Sequence, residues 1–347
     1  MTVIVALLGL ICLIVIHELG HMLTAKALGV RVPEFGVGFG PPLVKKRIGK
    51  TVYSFRIILL GGFARMAGMG DGAEGPDTYY AKAAWRRALI ILAGPVANIL
   101  AAVAILAGVY MFQGVVTDVK PVVRAVERGS MAQEVGIRAG DRIVGLDSDT
   151  VKTWDGFERQ MSGREPGEKV SVTVLRGGSQ KTFEGELGAD PEARDRALVG
   201  VRPEVETTTY GPLESVGLSV QRCGEITVRL GVFVGQLVIG EKDLYENVTG
   251  PVGIASVGST AVNQGFFLPL LALISLNLAL FNLFPILPLD GGHLFFIAAE
   301  KVLGRPVSEQ TMGKIAAFGL VLVLTLFLFA TYADLSKIFT GQPFIPD

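Results

Sequence analysis

Four stretches of the chain are apolar for about the length of a bilayer-crossing helix, roughly 20 residues. Three of them, Ala88 to Phe112, Gly265 to Leu289 and Ile315 to Ala333, contain no charged residue. The other starts with Val3 to Ile16, too short to cross alone, and must continue through His17, Glu18 and His21 toward Val30. Between the second and third stretches the pattern changes. Short alternating runs typical of strands take over, which predicts a folded domain of about 100 residues set between membrane helices.

Composition agrees with a membrane protein, since half of the 347 residues are hydrophobic and 18% are charged. The first apolar run has no Lys or Arg before it and no small-residue cleavage site after it, so it reads as a span and not a signal peptide. Between Thr24 and Arg87 there are 11 basic and 4 acidic residues, against 17 basic and 22 acidic from Gln113 to Gln264. That asymmetry puts the first loop in the cytoplasm and the middle segment outside, although charge governs long loops weakly. Zero net charge and the lack of a basic tract argue against nucleic acid as a partner. Cys12 and Cys223 stand far apart, which leaves no disulfide framework and no Cys-based metal site.

After the first span, Leu43 to Ile48 and Thr51 to Ile58 flank Gly49 and read as a β-hairpin at the inner membrane surface, or else as a connector with β propensity. Gly68 to Pro76 reads as a flexible loop. The middle domain alternates strands at Val122 to Val126, Arg142 to Leu146, Lys169 to Leu175 and Gln180 to Leu187 with helical stretches near Met131 and at Asp155 to Met161. Its stretch Gly136 to Asp147, "GIRAGDRIVGLD", resembles the signature of the PDZ domain, a module that binds an extended peptide at a sheet edge. The Gly-Leu-Gly-Phe loop of that family is not evident. Gly211 to Leu244 fits an amphipathic helix, lying on the outer membrane surface or packed on the middle domain. Thr249 to Gly258 reads as a Gly-rich turn region. The domain plan is therefore 1–112, with two spans and the hairpin; 113–206, PDZ-like; 207–264, an amphipathic linker; and 265–347, with the last two spans. In fold class this is a polytopic α-helical membrane protein of four transmembrane helices, with a cytoplasmic-side β-hairpin and one external PDZ-like α+β domain.

His17, Glu18 and His21 form H-E-x-x-H, the pattern of helical zinc sites in metalloproteases. Residues four apart share a helix face, so both imidazoles can reach one tetrahedral ion with Glu18 beside it. Three such residues inside a span are costly unless they have a function. At about 1.5 Å per residue, His17 lies roughly 20 Å from the outer end of its helix, on the cytoplasmic side of the midplane. A catalytic zinc needs a third protein ligand. Asp290 follows the stretch interrupted by Pro285 and Pro288, where irregular backbone is tolerated only if buried in protein or lining a wet cavity. Asp290 and its neighbour His293 are both candidates, and Asp290 could instead cap the turn at Gly291 and Gly292.

His17-Glu18-Leu19-Gly20-His21, Gly94-Pro95-Val96-Ala97-Asn98 and the stretch from Asn282 to Gly291 together resemble the site-2 protease family of intramembrane zinc metalloproteases. The layout is similar to the bacterial branch that includes the regulator of sigma-E protease. The resemblance implies a Zn2+ ion on His17, His21 and Asp290, with Glu18 as catalytic base. It further implies that Asn282, Pro285 and Pro288 support substrate or transition state, as do Gly94 and Asn98, and that the stretch near Thr51 to Phe55 is a membrane-associated β-loop. The implied substrate is a single-span membrane protein, such as an anti-sigma factor or a signal-peptide remnant. An upstream protease would already have shortened it outside the bacterial inner membrane. One departure is that the enteric sigma-E protease has two tandem PDZ domains, and this chain has room for one. The rival classes are a metal transporter, which usually carries ionisable residues across several spans, and a silent scaffold built on the PDZ-like domain.

Overall fold

The computed structural model describes residues 2–70, 72–189, 197–243, 245, 248–305 and 307–340. Asp71 of the expected loop and Leu244 of the expected amphipathic segment lie outside the described residues. The chain divides into two compact units, Met1–Val109 with Gly211–Leu335, and Tyr110–Tyr210 with Ser336–Asp347.

In the first unit, α1 (Thr2–Ala27) and α2 (Ala84–Phe112) are long and apolar enough to cross a membrane, as is most of α9 (Glu309–Thr340). The expected third span is shorter than its sequence suggested. Helix α7 runs from Phe267 to Asn282, 16 residues, and the chain does not return to helix until α8 (Asp290–Leu303). The physical reason is Pro285 and Pro288, which cannot donate a backbone N–H and whose rings block the preceding turn. At about 1.5 Å per residue, α7 covers roughly 24 Å of a core about 30 Å thick. Among the described residues, three helices are thus long and apolar enough to cross a membrane, and the third of the four expected spans is broken where the prolines interrupt it.

Two strands, β1 (Glu34–Ile48) and β2 (Thr51–Arg65), join at Gly49. They are longer than the expected hairpin and bend on themselves. Residues 42–48 pair with 51–56, while residues 34–37 lie between 52–55 and 62–65. Gly38 and Gly40, with φ of 87° and 84°, make the bend possible because a side chain is strained at positive φ. Glu34 ties the layers together through Arg56 at 2.6 Å and Arg65 at 3.6 Å.

The expected turn region at 249–258 is helical. Helix α6 (Pro251–Gln264) follows α5 (Pro212–Val238) and starts with Pro251 in its first turn, where a missing N–H costs nothing. Its cap comes from far along the chain. The fully buried Asp334 carboxylate on α9 accepts from the backbone N–H groups of Gly250 at 2.9 Å and Gly253 at 2.8 Å. A negative charge at that end suits the helix dipole. A Cβ at Gly258 would lie 2.9 Å from the Ala6 side chain, so a glycine there lets α6 approach α1 closely.

The second unit has a sheet of order β10-β3-β4-β6-β7, with strands β3 (Val115–Val126), β4 (Arg142–Leu146), β6 (Lys169–Arg176), β7 (Ser179–Glu186) and β10 (Val201–Thr208). The short β5 (Asp149–Thr150) pairs with β4, and β8 (Gly188–Ala189) pairs with β9 (Ala197–Leu198). The strand β10 was not expected, since Pro203 and the run Glu206, Thr207 and Thr208 dilute its alternation. It pairs with β3, so the segments entering and leaving the domain are neighbours. Helices α3 (Met131–Val135) and α4 (Trp154–Met161) are capped by Ser130 and Thr153. The core gathers Val123, Ile143, Leu146, Phe157, Val172 and Val174.

The signature stretch has a physical basis in this unit. Gly136 ends α3 at φ 86°, Ile137 enters the core, and Asp141 folds back to accept the Arg138 N–H at 2.8 Å. Arg176 grips both oxygens of Asp141, at 2.6 Å each. That guanidinium holds the Asp141 carboxyl below the ordinary carboxylate range. A depressed pKa stabilises the fold fully above the unfolded-chain value, about 3.9, and the contribution is lost as pH falls through the lower folded value. Asp141→Asn, which leaves Arg176 without its charge partner, should destabilise the fold at neutral pH by about 1–2 kcal/mol. Unfolding of the full chain followed by Trp154 fluorescence should show that gap closing as pH drops below about 4; a gap unchanged by pH would refute the assignment.

Candidate metal centre

The centre is built where α1 crosses α2. A Cβ at Gly20 would fall 2.3 Å from the Ala93 carbonyl oxygen, so only glycine lets the helices approach this closely. Across the contact, Gly94 leaves room for both imidazoles. A Cβ there would lie 2.3 Å from His21 Nε2 and 2.8 Å from His17 Cε1. Both histidines are buried, with His17 7% and His21 5% exposed.

Asp290, first residue of α8, completes a small triangle. His17 Nε2 and His21 Nε2 are 3.2 Å apart, and Asp290 Oδ2 is 3.1 Å from the first and 3.3 Å from the second. Asp290 Oδ2 is buried without a conventional hydrogen bond. Ligands about 2.0–2.1 Å from a tetrahedral zinc lie roughly 3.3 Å from one another, so the three edges match those of such a site. Two imidazoles and one carboxylate, with a further position left open, is also the donor set of a catalytic zinc site. The residues therefore fit the ion. Gly291 and Gly292 let α8 begin against residues 283–287, where a Cβ on either would meet backbone at 2.1 and 2.5 Å.

The imidazoles are held from behind. His21 Nδ1 lies 2.9 Å from the Ile90 carbonyl oxygen, which can only accept, so Nδ1 carries the hydrogen and Nε2 presents its lone pair. Pro95 lies within this part of α2, lacks an N–H and disturbs the helix ladder one turn back. His17 Nδ1 lies 3.2 Å from Asn98 Nδ2. Asn98 is fully buried, and its backbone carbonyl accepts from Ser275 Oγ at 2.8 Å.

Glu18 stands beside the triangle, against the end of β2. Its Cγ lies 3.0 Å from where a Cβ on Gly62 would be. Residues 62–65 pair on one side, with 34–37, among the described residues. One outer strand thus runs past the carboxylate.

The structure separates the other sequence candidates. His293 is not in the cluster and lines a small cavity with Tyr79, Arg87 and Glu300. Gly94 and Asn98, expected to support substrate, face the histidines instead, because both lie on the α2 face that packs on α1. Asn282 donates to the Leu278 carbonyl of its own helix at 2.9 Å. Pro285 and Pro288 are exposed in the irregular stretch, and the Leu287–Pro288 bond is cis. Sequence reasoning missed the Ile90 carbonyl and Ser275. The first leaves no signal, because Pro95 lacks the N–H that would meet Ile91 and not Ile90, and the second is a serine in an apolar helix.

The pattern of Peptidase family M50 matches residues 5–326. A Brucella suis biovar 1 protein named "Putative zinc metalloprotease" is 33% identical, over 96% of this chain and 95% of its own. Proteins of the same name from Clostridium acetobutylicum and Synechocystis sp. are 31% and 32% identical over 96% of this chain, and over 96% and 94% of their own lengths. Among solved structures, the PDZ domain of an SdrC-like protein from Listeria monocytogenes is 22% identical, with a TM-score of 0.22, over 25% of this chain and 86% of that one.

Proposed function

The chain belongs to peptidase family M50, and on that premise we propose that it cuts a peptide bond inside the membrane-spanning segment of a single-span protein, using His17, His21, Asp290 and Glu18. It is an integral membrane zinc metalloprotease of the site-2 type. The observation that carries the residue assignment is the triangle of two Nε2 atoms and one carboxylate oxygen, with edges of 3.1–3.3 Å, on an apolar helix long enough to span a bilayer.

His17, His21 and Asp290 would hold the zinc, which when bound would supply Lewis acidity toward water and the scissile carbonyl. Glu18 takes the proton of the attacking water and passes it to the leaving amide nitrogen. Its packing against Gly62 at the end of β2 keeps the carboxylate beside the three ligands. Asn282, once its amide leaves Leu278, donates to the developing oxyanion. A helical substrate hides its amides and has to unwind first. Residues 62–65 offer it an edge strand to extend next to Glu18. Pro285 and Pro288 keep the facing approach irregular and its backbone groups available.

The basic loop of residues 24–87 supports a cytoplasmic placement for the hairpin and the metal centre, with the middle domain on the outer face of a bacterial inner membrane. In that orientation the substrate is an anti-sigma factor or a signal-peptide remnant trimmed outside by another protease, and the reaction is regulated intramembrane proteolysis within a stress response. The transporter reading loses support because the buried ionisable groups Arg87 on α2 and Asp334 on α9 are engaged. Arg87 pairs with Glu300 at 2.7 Å, and Asp334 caps α6. Elemental analysis of the purified full chain tests the site. One zinc per chain is expected for the native protein and a large deficit for Asp290→Ala and His17→Ala; full zinc in both variants would sink the assignment.

A further inference from the structure

The two histidines are held differently, and the difference bears on metal binding. His21 has its Nδ1 hydrogen fixed by the Ile90 carbonyl, a partner that accepts and never donates, so its Nε2 is permanently ready to ligate. His17 has an amide as its partner. The Asn98 NH2 group, 3.2 Å from His17 Nδ1, can only donate, which makes Nδ1 the acceptor and leaves the hydrogen on Nε2. Asp290 Oδ2 lies 3.1 Å from that nitrogen. Such a tautomer cannot ligate a metal through Nε2.

The same amide carries the remedy. Asn98 Oδ1 is buried and has no hydrogen-bond partner. Turning the amide over brings Oδ1 against Nδ1, where it accepts the Nδ1 hydrogen and leaves the Nε2 lone pair free. The rest of the residue cannot leave, since it is fully buried and its backbone carbonyl is held by the equally buried Ser275 at 2.8 Å. Rotation about the terminal carbon–amide bond is the motion left, and that torsion is soft.

We infer that Asn98 is a positioning residue that sets the tautomer of His17: its amide oxygen accepts from Nδ1 when His17 ligates, and its NH2 donates to Nδ1 when it does not. The step conserves charge, because one proton leaves Nε2 and one arrives at Nδ1. Asn98 therefore acts on a ligand and not on the substrate. The inference rests on the reading that His17 binds zinc through Nε2. A partner that orients a ligating histidine typically changes metal affinity by about 10–100-fold.

The test uses the full chain in detergent, with zinc alone as the probe. Zinc affinity, measured by competition with a chelator, should fall about 10–100-fold in Asn98→Leu, which offers Nδ1 neither donor nor acceptor. It should stay close to native in Asn98→Asp, whose carboxylate accepts from Nδ1. Nitrogen-15 NMR of histidine-labelled native protein reads the tautomers without any substitution at position 98, so it decides the matter even if Asn98→Leu fails to fold. Adding zinc should move the His17 hydrogen from Nε2 to Nδ1 and leave His21 protonated at Nδ1 throughout. A folded Asn98→Leu protein that binds zinc as tightly as native, or a His17 tautomer that does not respond to zinc, overturns the proposal. If His17→Ala binds zinc as tightly as native, the metal-site reading itself fails and this inference falls with it.

Discussion

Glu18→Gln is expected to keep its zinc and lose proteolysis by about 10²–10⁴-fold, the usual worth of a general acid–base group. Glu18 is outside the ligand triangle, so exchanging one carboxyl oxygen for an NH2 group does not disturb the metal site. Glutamine has nearly the size and shape of glutamate, which preserves the side chain's place against Gly62 of β2. What disappears is the ability to take and return a proton. Zinc content and turnover should therefore separate in this variant, whereas in Asp290→Ala both should fall. Turnover within a few-fold of native would remove Glu18 from the chemistry.

The second large effect is expected at a residue with no reactive group. Gly94→Ala places a methyl 2.3 Å from His21 Nε2 and 2.6 Å from its Cε1, and 2.8 Å from His17 Cε1. These ring atoms cannot yield easily, because one ring is tied to the Ile90 carbonyl and the other to Asn98. The ligands must move by something near an ångström, a displacement that commonly costs about 10²-fold in rate. Gly108 is the control on the same helix. A Cβ there meets nothing within 4 Å, so Gly108→Ala should have native activity and native zinc content. Native activity in Gly94→Ala would mean that the α1–α2 contact is looser than the structure has it.

How much of this was legible from sequence follows from the reach of each signal. The spacing of His17 and His21 is a property of one helix, and the sequence carried it completely. Asp290 was legible as one of two candidates, because prolines at 285 and 288 mark where an apolar stretch must break. Choosing it over His293 without the family resemblance takes the structure, in which one side chain meets the triangle and the other lines a cavity. Contacts between helices left no periodic trace. Gly94 is one of 44 glycines, and Asn98 shows no sign that its partner lies 81 residues earlier. The helix α6 was hidden for a similar reason: its glycines argued for a turn, while its stability comes from a carboxylate 84 residues away from Gly250 and from close packing on α1. The sheet grew beyond the expected hairpin because Phe35, Val37 and Phe39 alternate with glycines that the chain uses for bends.

The most direct test of intramembrane proteolysis at this centre is mass-spectrometric mapping of the bond cut in a single-span substrate with a trimmed external end, incubated with the full chain in lipid nanodiscs. The account predicts one or a few cuts within the apolar segment of the substrate, abolished by a zinc chelator and by Glu18→Gln. Cuts confined to the water-exposed flanks, or cleavage indifferent to both treatments, would contradict it.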